Sequence, residues 1–212
     1  MRRLCLVFSI VSMALMYLIW PQSVQAASPA VGMRPYTGIG VLMLGIAADT
    51  AEPNEQLRLY DEPAIYRQGE LEIARIPRHE WIFGPNADSV PLIVTARKRE
   101  WLRVVYDDAG REAWINPGPR GVYQPWDDFF KGRAGRLLPG LQKRHYQLFS
   151  QAGRGPQATL TPKQFFKVIM FENDWSAVLT DSSTLGWLRW RDEDGRLLIA
   201  LDAGKTVQAQ QR

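Results

Sequence analysis

The feature that most constrains this chain is a pattern of valine and tryptophan that occurs twice. Val94, Trp101, Val104 and Trp114 are separated by seven, three and ten residues, and Val168, Trp175, Val178 and Trp187 by seven, three and nine. Apolar and polar residues alternate around these positions, as in Trp101–Tyr106, which is the period of a half-buried strand. Aromatic and β-branched side chains suit such a pleated surface. Acidic, glycine-ended turns punctuate the strands at Asp107-Asp108-Ala109-Gly110 and Asp192-Glu193-Asp194-Gly195, where Asp bonds its own backbone and Gly supplies a positive φ. Upstream, Leu59-Tyr60 corresponds to Leu148-Phe149. Tyr60 to Trp101 is 41 residues and Phe149 to Trp175 is 26, so the first copy carries about 15 more, placed in Gly69–Pro85; loop-closure entropy rises slowly enough to tolerate them. Matching Trp101-Leu102-Arg103 to Trp187-Leu188-Arg189 is a competing register, but it leaves the preceding strand unaligned.

The rest of the chain reads in the same way. Gly40–Ile46, Leu57–Tyr60, Pro91–Thr95, Arg111–Ile115, Tyr146–Phe149, Gln164–Phe171, Trp175–Leu179, Leu185–Trp190 and Arg196–Leu201 have the composition of short strands. Gly69–Pro91 reads mostly as a long loop with some strand, and Gln151–Pro162 as a loop containing glycine and proline. Tyr123–Leu141 differs: Trp126, Phe129 and Phe130 have helical spacing, cut short by Gly132, Gly135 and Pro139. Many short strands at close spacing predict an all-β chain of small barrels or sandwiches.

A strand opening on Leu59-Tyr60-Asp61, the Trp101/Val104 and Trp175/Val178 pairs, and the closure Gly110-Arg111-Glu112-Ala113-Trp114-Ile115 together resemble the bacterial Src-homology-3 (SH3b) domain. In the second copy only the end of the closure is matched, by Gly186-Trp187-Leu188. The resemblance implies two small SH3-like barrels at 38–118 and 142–202, with 119–141 as a connector bearing a short helix and 203–212 as a flexible tail. It implies a binding role toward cell-wall peptidoglycan, peptides or partner proteins.

Met1–Ala26 reads as a secretory signal peptide: Arg2 and Arg3, then an apolar run from Leu4 to Trp20, then Pro21 and small residues at Val24 and Ala26. Ala27–Thr37 follows as a polar lead-in. Cleavage removes the single cysteine, Cys5, and two of the positive charges that make the formal net charge +4. The expected location is the periplasm or another exported site. Uncleaved, the same run is at the short end of membrane-spanning length and would anchor the protein.

Composition excludes several chemistries. One cysteine cannot form an internal disulfide, and two histidines, His79 and His145, fall short of a zinc cluster; both read as surface residues with basic neighbours. Without Cys5 there is no thiol nucleophile, and neither a Gly-x-Ser-x-Gly elbow nor a phosphate loop is present. A carboxylate pair for glycan hydrolysis could come from Asp107, Asp108, Asp127, Asp128, Glu172 and Asp174, although adjacent acids in turns ordinarily serve the turn. The net charge is too small to argue for nucleic acid.

Aromatic residues are the remaining candidates. Tyr60, Tyr66, Trp101 and Tyr106 are expected to line a ligand-binding groove, since planar rings give contact area at low entropic cost. Trp114, Trp175 and Trp187 are expected in the core. Arg97-Lys98-Arg99 reads as a hairpin tip able to meet an anionic surface. The favoured reading is an exported, non-enzymatic envelope module that binds a protein partner or peptidoglycan, with no catalytic residue, metal or cofactor. The alternatives are a small glycan hydrolase and a scaffold anchored in the membrane by Leu4–Trp20.

Overall fold

In the computed structural model, residues 38–46, 56–85 and 88–202 are described. The expected signal segment, the lead-in and the tail lie outside these residues. The chain is predominantly β, with two antiparallel sheets. Sheet A contains β1 (Gly40–Gly45), β2 (Gln56–Glu62), β3 (Ile65–Glu72), β4 (Ser89–Lys98), β5 (Trp101–Val105), β6 (Glu112–Ile115) and β7 (Gly121–Pro125). Sheet B contains β8 (Ala134–Leu137), β9 (Gln147–Gln151), β10 (Arg154–Thr159), β11 (Phe165–Glu172), β12 (Trp175–Thr180), β13 (Leu185–Arg189) and β14 (Ile199–Leu201).

Sheet A runs in the order β3-β2-β6-β5-β4-β1-β7, and sheet B in the order β10-β9-β13-β12-β11-β8-β14. Every strand of B stands where the strand numbered seven lower stands in A. The registers correspond as well. Val94 faces Val104, and Val168 faces Val178; one extra residue then bulges before Ala96 and before Met170. A second bulge falls beyond Leu59 on the β2–β3 ladder and beyond Leu148 on the β9–β10 ladder. Each bulge bends its strand and increases the local twist. Tyr60 faces Trp114, and Phe149 faces Trp187.

Alternation along the strands sends one set of side chains inward. From sheet A these include Leu42, Leu57, Leu59, Leu92, Val94, Leu102, Val104 and Ile115, which form one buried cluster. Leu148, Phe166, Val168, Val178 and Leu188 of sheet B belong to a second cluster. That second cluster also takes Val41 and Ile93, so β1 and β4 bury residues on both faces. This explains why Gly40–Ile46 and Pro91–Thr95 are nearly continuous apolar runs rather than alternating ones.

Two short helices complete the second cluster. α1 (Glu80–Phe83) buries Ile82 and Phe83, and α2 (Trp126–Phe130) buries Trp126, Phe129 and Phe130. The α2 rings pack together with centroids 5.1–6.1 Å apart, Trp126 stacked on Phe130 and Phe129 edge to face with both. Trp126 Nε1 donates to Gly38 O at 2.7 Å, giving a buried indole its polar partner. Asp127 and Asp128 occupy the first turn of α2, where the helix dipole favours negative charge.

Three expectations differ from this arrangement. Gly69–Pro91, expected mostly as loop with some strand, contains the end of β3 but also a 3-10 turn at Ile73–Arg75 and α1; Ile73, Ile76, Ile82 and Phe83 pin it to the core. Gln151–Pro162, expected as loop, contains β10, whose residues are all exposed. An edge strand with no buried face shows no alternation, and its outer position tolerates Pro156. Residues 119–141 do carry a short helix, but they also carry β7, paired to β1 from Gly40↔Pro125 to Leu44↔Gly121, and β8, paired to β11 and β14. Between the sheets, the longer β3–β4 connection (73–88, against 160–164 for β10–β11) accounts for most of the extra length of the first half. Among the described residues no helix is long and apolar enough to cross a membrane.

Candidate ligand-binding site

Cross-strand pairs show which side chains share a face. Trp114 lies opposite both Tyr60 and Arg103, so Tyr60, Trp101, Arg103 and Trp114 share the face opposite to buried Leu59, Leu102, Val104 and Ile115. In sheet B, Trp187 lies opposite Phe149 and Ala177, and Trp175 lies opposite Arg189; these residues share the corresponding outer face. On each outer face two rings meet edge to face. Tyr60 and Trp101 have centroids 5.1 Å apart at 85°, and Phe149 and Trp175 have centroids 5.3 Å apart at 86°.

All four rings are half-buried, as are Trp114 and Trp187. The core expected for Trp114, Trp175 and Trp187 therefore lies on the other side of their strands: each sits one step out of phase with its buried neighbours.

A cavity of about 160 Å³ opens beside the Phe149–Trp175 pair, walled also by Arg144, His145, Arg189 and Glu193. A 3-10 turn, Lys143–Tyr146, delivers Arg144 and His145 as it runs into β9. Arg189 ends β13 with its guanidinium carbon 5.4 Å from the Trp175 ring centroid, a cation–π stack. The turn after β13 presents Glu193. Arg189 Nη1 is 2.6 Å from Glu193 Oε1, and Arg144 Nη2 donates to Glu193 Oε2 at 3.3 Å.

Arg144 Nε also donates to His145 Nε2 at 3.3 Å, so that nitrogen carries a lone pair and the ring is neutral. His145 is only 7% exposed, which corrects the expectation of a surface histidine. Burial first, and the Arg144 cation next, lower its pKa. Glu193 is held below its ordinary range by the N–H of its own backbone and then by Arg189 and Arg144, against a smaller opposing effect of burial than that first hydrogen bond.

The four residues expected to line a groove do not converge. Tyr60 and Trp101 meet. Tyr106 lies beyond the far end of β5, about 16 Å from Trp101 along the strand, and on the opposite face by alternation. There it packs against the sheet A core, with the Arg111 guanidinium 5.4 Å from its ring centroid. Tyr66 is 77% exposed with a φ of 51°, and among the described residues it makes no ring contact with Tyr60 or Trp101. A second groove, of about 500 Å³, runs past Arg97, Arg99, Leu102, Val122 and Tyr123; Arg97 there stacks over the Tyr123 ring at 5.3 Å.

Two of the acids considered for catalysis, Asp107 and Asp174, are bonded to nearby arginines. Asp107 accepts from the Arg111 backbone N–H at 2.9 Å and from Arg111 Nε at 2.5 Å. Burial raises its pKa, but these bonds outweigh that and hold it low. Asp174 accepts from Arg191 Nε at 2.5 Å. Among the described residues no group of three or more His, Cys, Asp or Glu is placed to hold a metal ion.

No family profile matches the chain, and no curated protein does. Among solved structures, the chain was aligned with one described as "Endolysin LysPBC5 CBD", over 81% of this chain and 99% of that one, at 11% identity and a TM-score of 0.24. That superposition is too loose to equate the two folds.

Proposed function

We propose that this chain is an exported, non-enzymatic binding module of the bacterial cell envelope, made of two SH3b-like units, and that it holds a residue of peptidoglycan against Phe149 and Trp175. The observation that carries the reading is the sheet B cavity, in which a half-buried aromatic pair meets two guanidiniums at the surface. Rings offer a flat apolar wall to a sugar or to the stem of a side chain. Guanidiniums offer fixed forks of donors to carboxylates and carbonyls. At about 160 Å³ the cavity has room for one such residue, well below the size of a pocket for a whole drug-sized ligand. It suits a polymer gripped one unit at a time, and peptidoglycan supplies both sugar rings and peptide carboxylates.

The equivalent strand orders, bulges and aromatic pairs support two units of one kind. Their boundaries are best drawn at 38–125 and 134–202, with α2 between them, because β7 and β8 complete their sheets. Export rests on the sequence of Met1–Ala26. The acids bound into turns support a role in binding rather than hydrolysis.

Co-sedimentation of the exported protein with purified cell-wall sacculi tests the proposal. Wild type should pellet with the wall, and Trp175→Ala should stay in the supernatant with an unchanged circular dichroism spectrum. Equal pelleting of the two proteins would sink it, as would a wild type that stays in solution; in the latter case crosslinking in cells through the Trp175 face would point to a protein partner instead.

A further inference from the structure

We propose that Glu193 is a resident stand-in for a carboxylate of the ligand: it occupies the guanidiniums of Arg144 and Arg189 until an anionic group displaces it, so the site selects the carboxylate-bearing residue of its polymer. The inference rests on the sheet B cavity being the binding site.

Three features single out Glu193. Its carboxylate spans two cations from different elements, with one oxygen 2.6 Å from Arg189 Nη1 and the other 3.3 Å from Arg144 Nη2. Guanidiniums are favoured partners of carboxylates, and Arg189 Nη1 is buried at this contact without an aligned hydrogen bond. The side chain is also open to solvent, and its remaining bond is to its own backbone N–H. It is 54% exposed, whereas Arg189 is 25% exposed and fixed against Trp175.

Finally, the turn that carries Glu193 does not need its carboxylate. Asp192 Oδ1 holds that turn by accepting from the backbone N–H groups of Asp194 at 3.0 Å and Arg196 at 2.8 Å. If Glu193 swings into solvent, Arg189 stays stacked on Trp175, and Arg144 stays oriented by the lone pair of His145. The cavity then presents two cations beside an aromatic wall. The neighbouring Asp194 provides an internal control, since its carboxylate lies against Arg196 at 3.3 Å instead.

Calorimetric titration of the purified exported protein with a soluble disaccharide-peptide fragment of peptidoglycan tests this. Two probes are used: the fragment with free stem-peptide carboxylates, and the same fragment with those carboxylates converted to amides. Glu193→Gln should bind the acid fragment about fivefold more tightly than wild type, within the range open to displacing an exposed ion pair, and the amide fragment unchanged. The gain should shrink as salt is added. Asp194→Asn removes the same formal charge and should give no gain, and Arg189→Gln should abolish the preference for the acid form. An unchanged or weakened affinity in Glu193→Gln, or an equal gain in Asp194→Asn, overturns the inference. If Trp175→Ala still abolishes binding in that case, the binding site itself stands. If no variant and no wild type binds either fragment, both proposals fall.

Discussion

Sheets A and B have the same strand order and the same edge-to-face aromatic pair on the outer face, yet they surround that pair with different chemistry. Beside Phe149–Trp175 stand Arg189, Arg144 and a buried neutral His145. In sheet A, counting from Trp114 as from Trp187, the place of Arg189 is taken by Asn116. Its Oδ1 accepts from the Gly118 N–H at 3.1 Å and helps turn the chain. One cation on the sheet A face is Arg103, ion-paired with Glu112 at 2.8 Å, where sheet B has Ala177; another, Arg67, lies opposite Tyr60 and pairs with Glu70. The strand ladder thus delivers a ring pair in both places, and the residues at strand ends and in turns decide what the pair can bind.

The largest expected effect asks whether the sheets are separate at all. Phe130 is almost wholly buried, in the cluster that takes residues from both sheets. Phe130→Ala should cost about 3–5 kcal/mol, and urea unfolding of wild type should proceed in one transition, because the two sheets share that cluster. Two resolved transitions would break the shared core.

Next comes a position where the sheets differ by one methyl group. Gly186 lies against Leu148, and a Cβ there would be 2.5 Å from Leu148 Cγ. Its counterpart in sheet A is Ala113. Gly186→Ala should destabilise by about 1–3 kcal/mol through overpacking, and Ala113→Gly by about 1 kcal/mol through backbone entropy and a lost methyl. A neutral Gly186→Ala, read by thermal denaturation, would show that Leu148 yields more easily than its burial implies.

A smaller effect depends on pH. His79, in the first half, and His145, in the second, both have lowered pKa values, in each case chiefly through burial. A histidine with a folded pKa below its unfolded value of about 6.5 binds protons more readily when unfolded. Its stabilising contribution is therefore complete above pH 6.5 and is lost as pH falls through the folded pKa. Stability should decline as pH drops below about 6.5, and His79→Gln and His145→Gln should each remove part of that decline. Identical pH profiles for wild type and both variants would contradict this.

The smallest effect is expected at Arg103. Its pair with Glu112 is largely solvent-exposed, so Arg103→Gln should change stability by no more than about 0.5 kcal/mol and leave sacculus binding intact. Loss of wall binding in that variant would move the site to sheet A.

The β class, most strands and the acidic hairpins were legible in the sequence because strands buried on one face, such as β5, alternate visibly, and β1 and β4, buried on both, stand out as short apolar runs. β10 has no buried face, and β7 is an edge strand ending in Pro125, so neither announced itself. The ring pair was legible only in part. The sequence marks Tyr60 and Trp101 as a candidate pair, whereas Phe149 and Trp175, at the equivalent positions of the same pattern, read as strand and core residues. Alternation shows that Trp175 and Ser176 point in opposite directions, but not which of them points inward; Ser176 is buried and Trp175 is not. The cations were harder still. Arg144 and Glu193 meet across 49 residues, and only the closing of the sheet brings a 3-10 turn and a hairpin turn to one ring pair.

Sheet B, and not sheet A, is proposed to hold the ligand. The most direct measurement is the indole N–H region of a nuclear magnetic resonance spectrum, recorded while the soluble peptidoglycan fragment is added. The Trp175 and Trp187 resonances should shift while those of Trp101 and Trp114 stay in place. Shifts at Trp101 and Trp114 with Trp175 unmoved would contradict that placement.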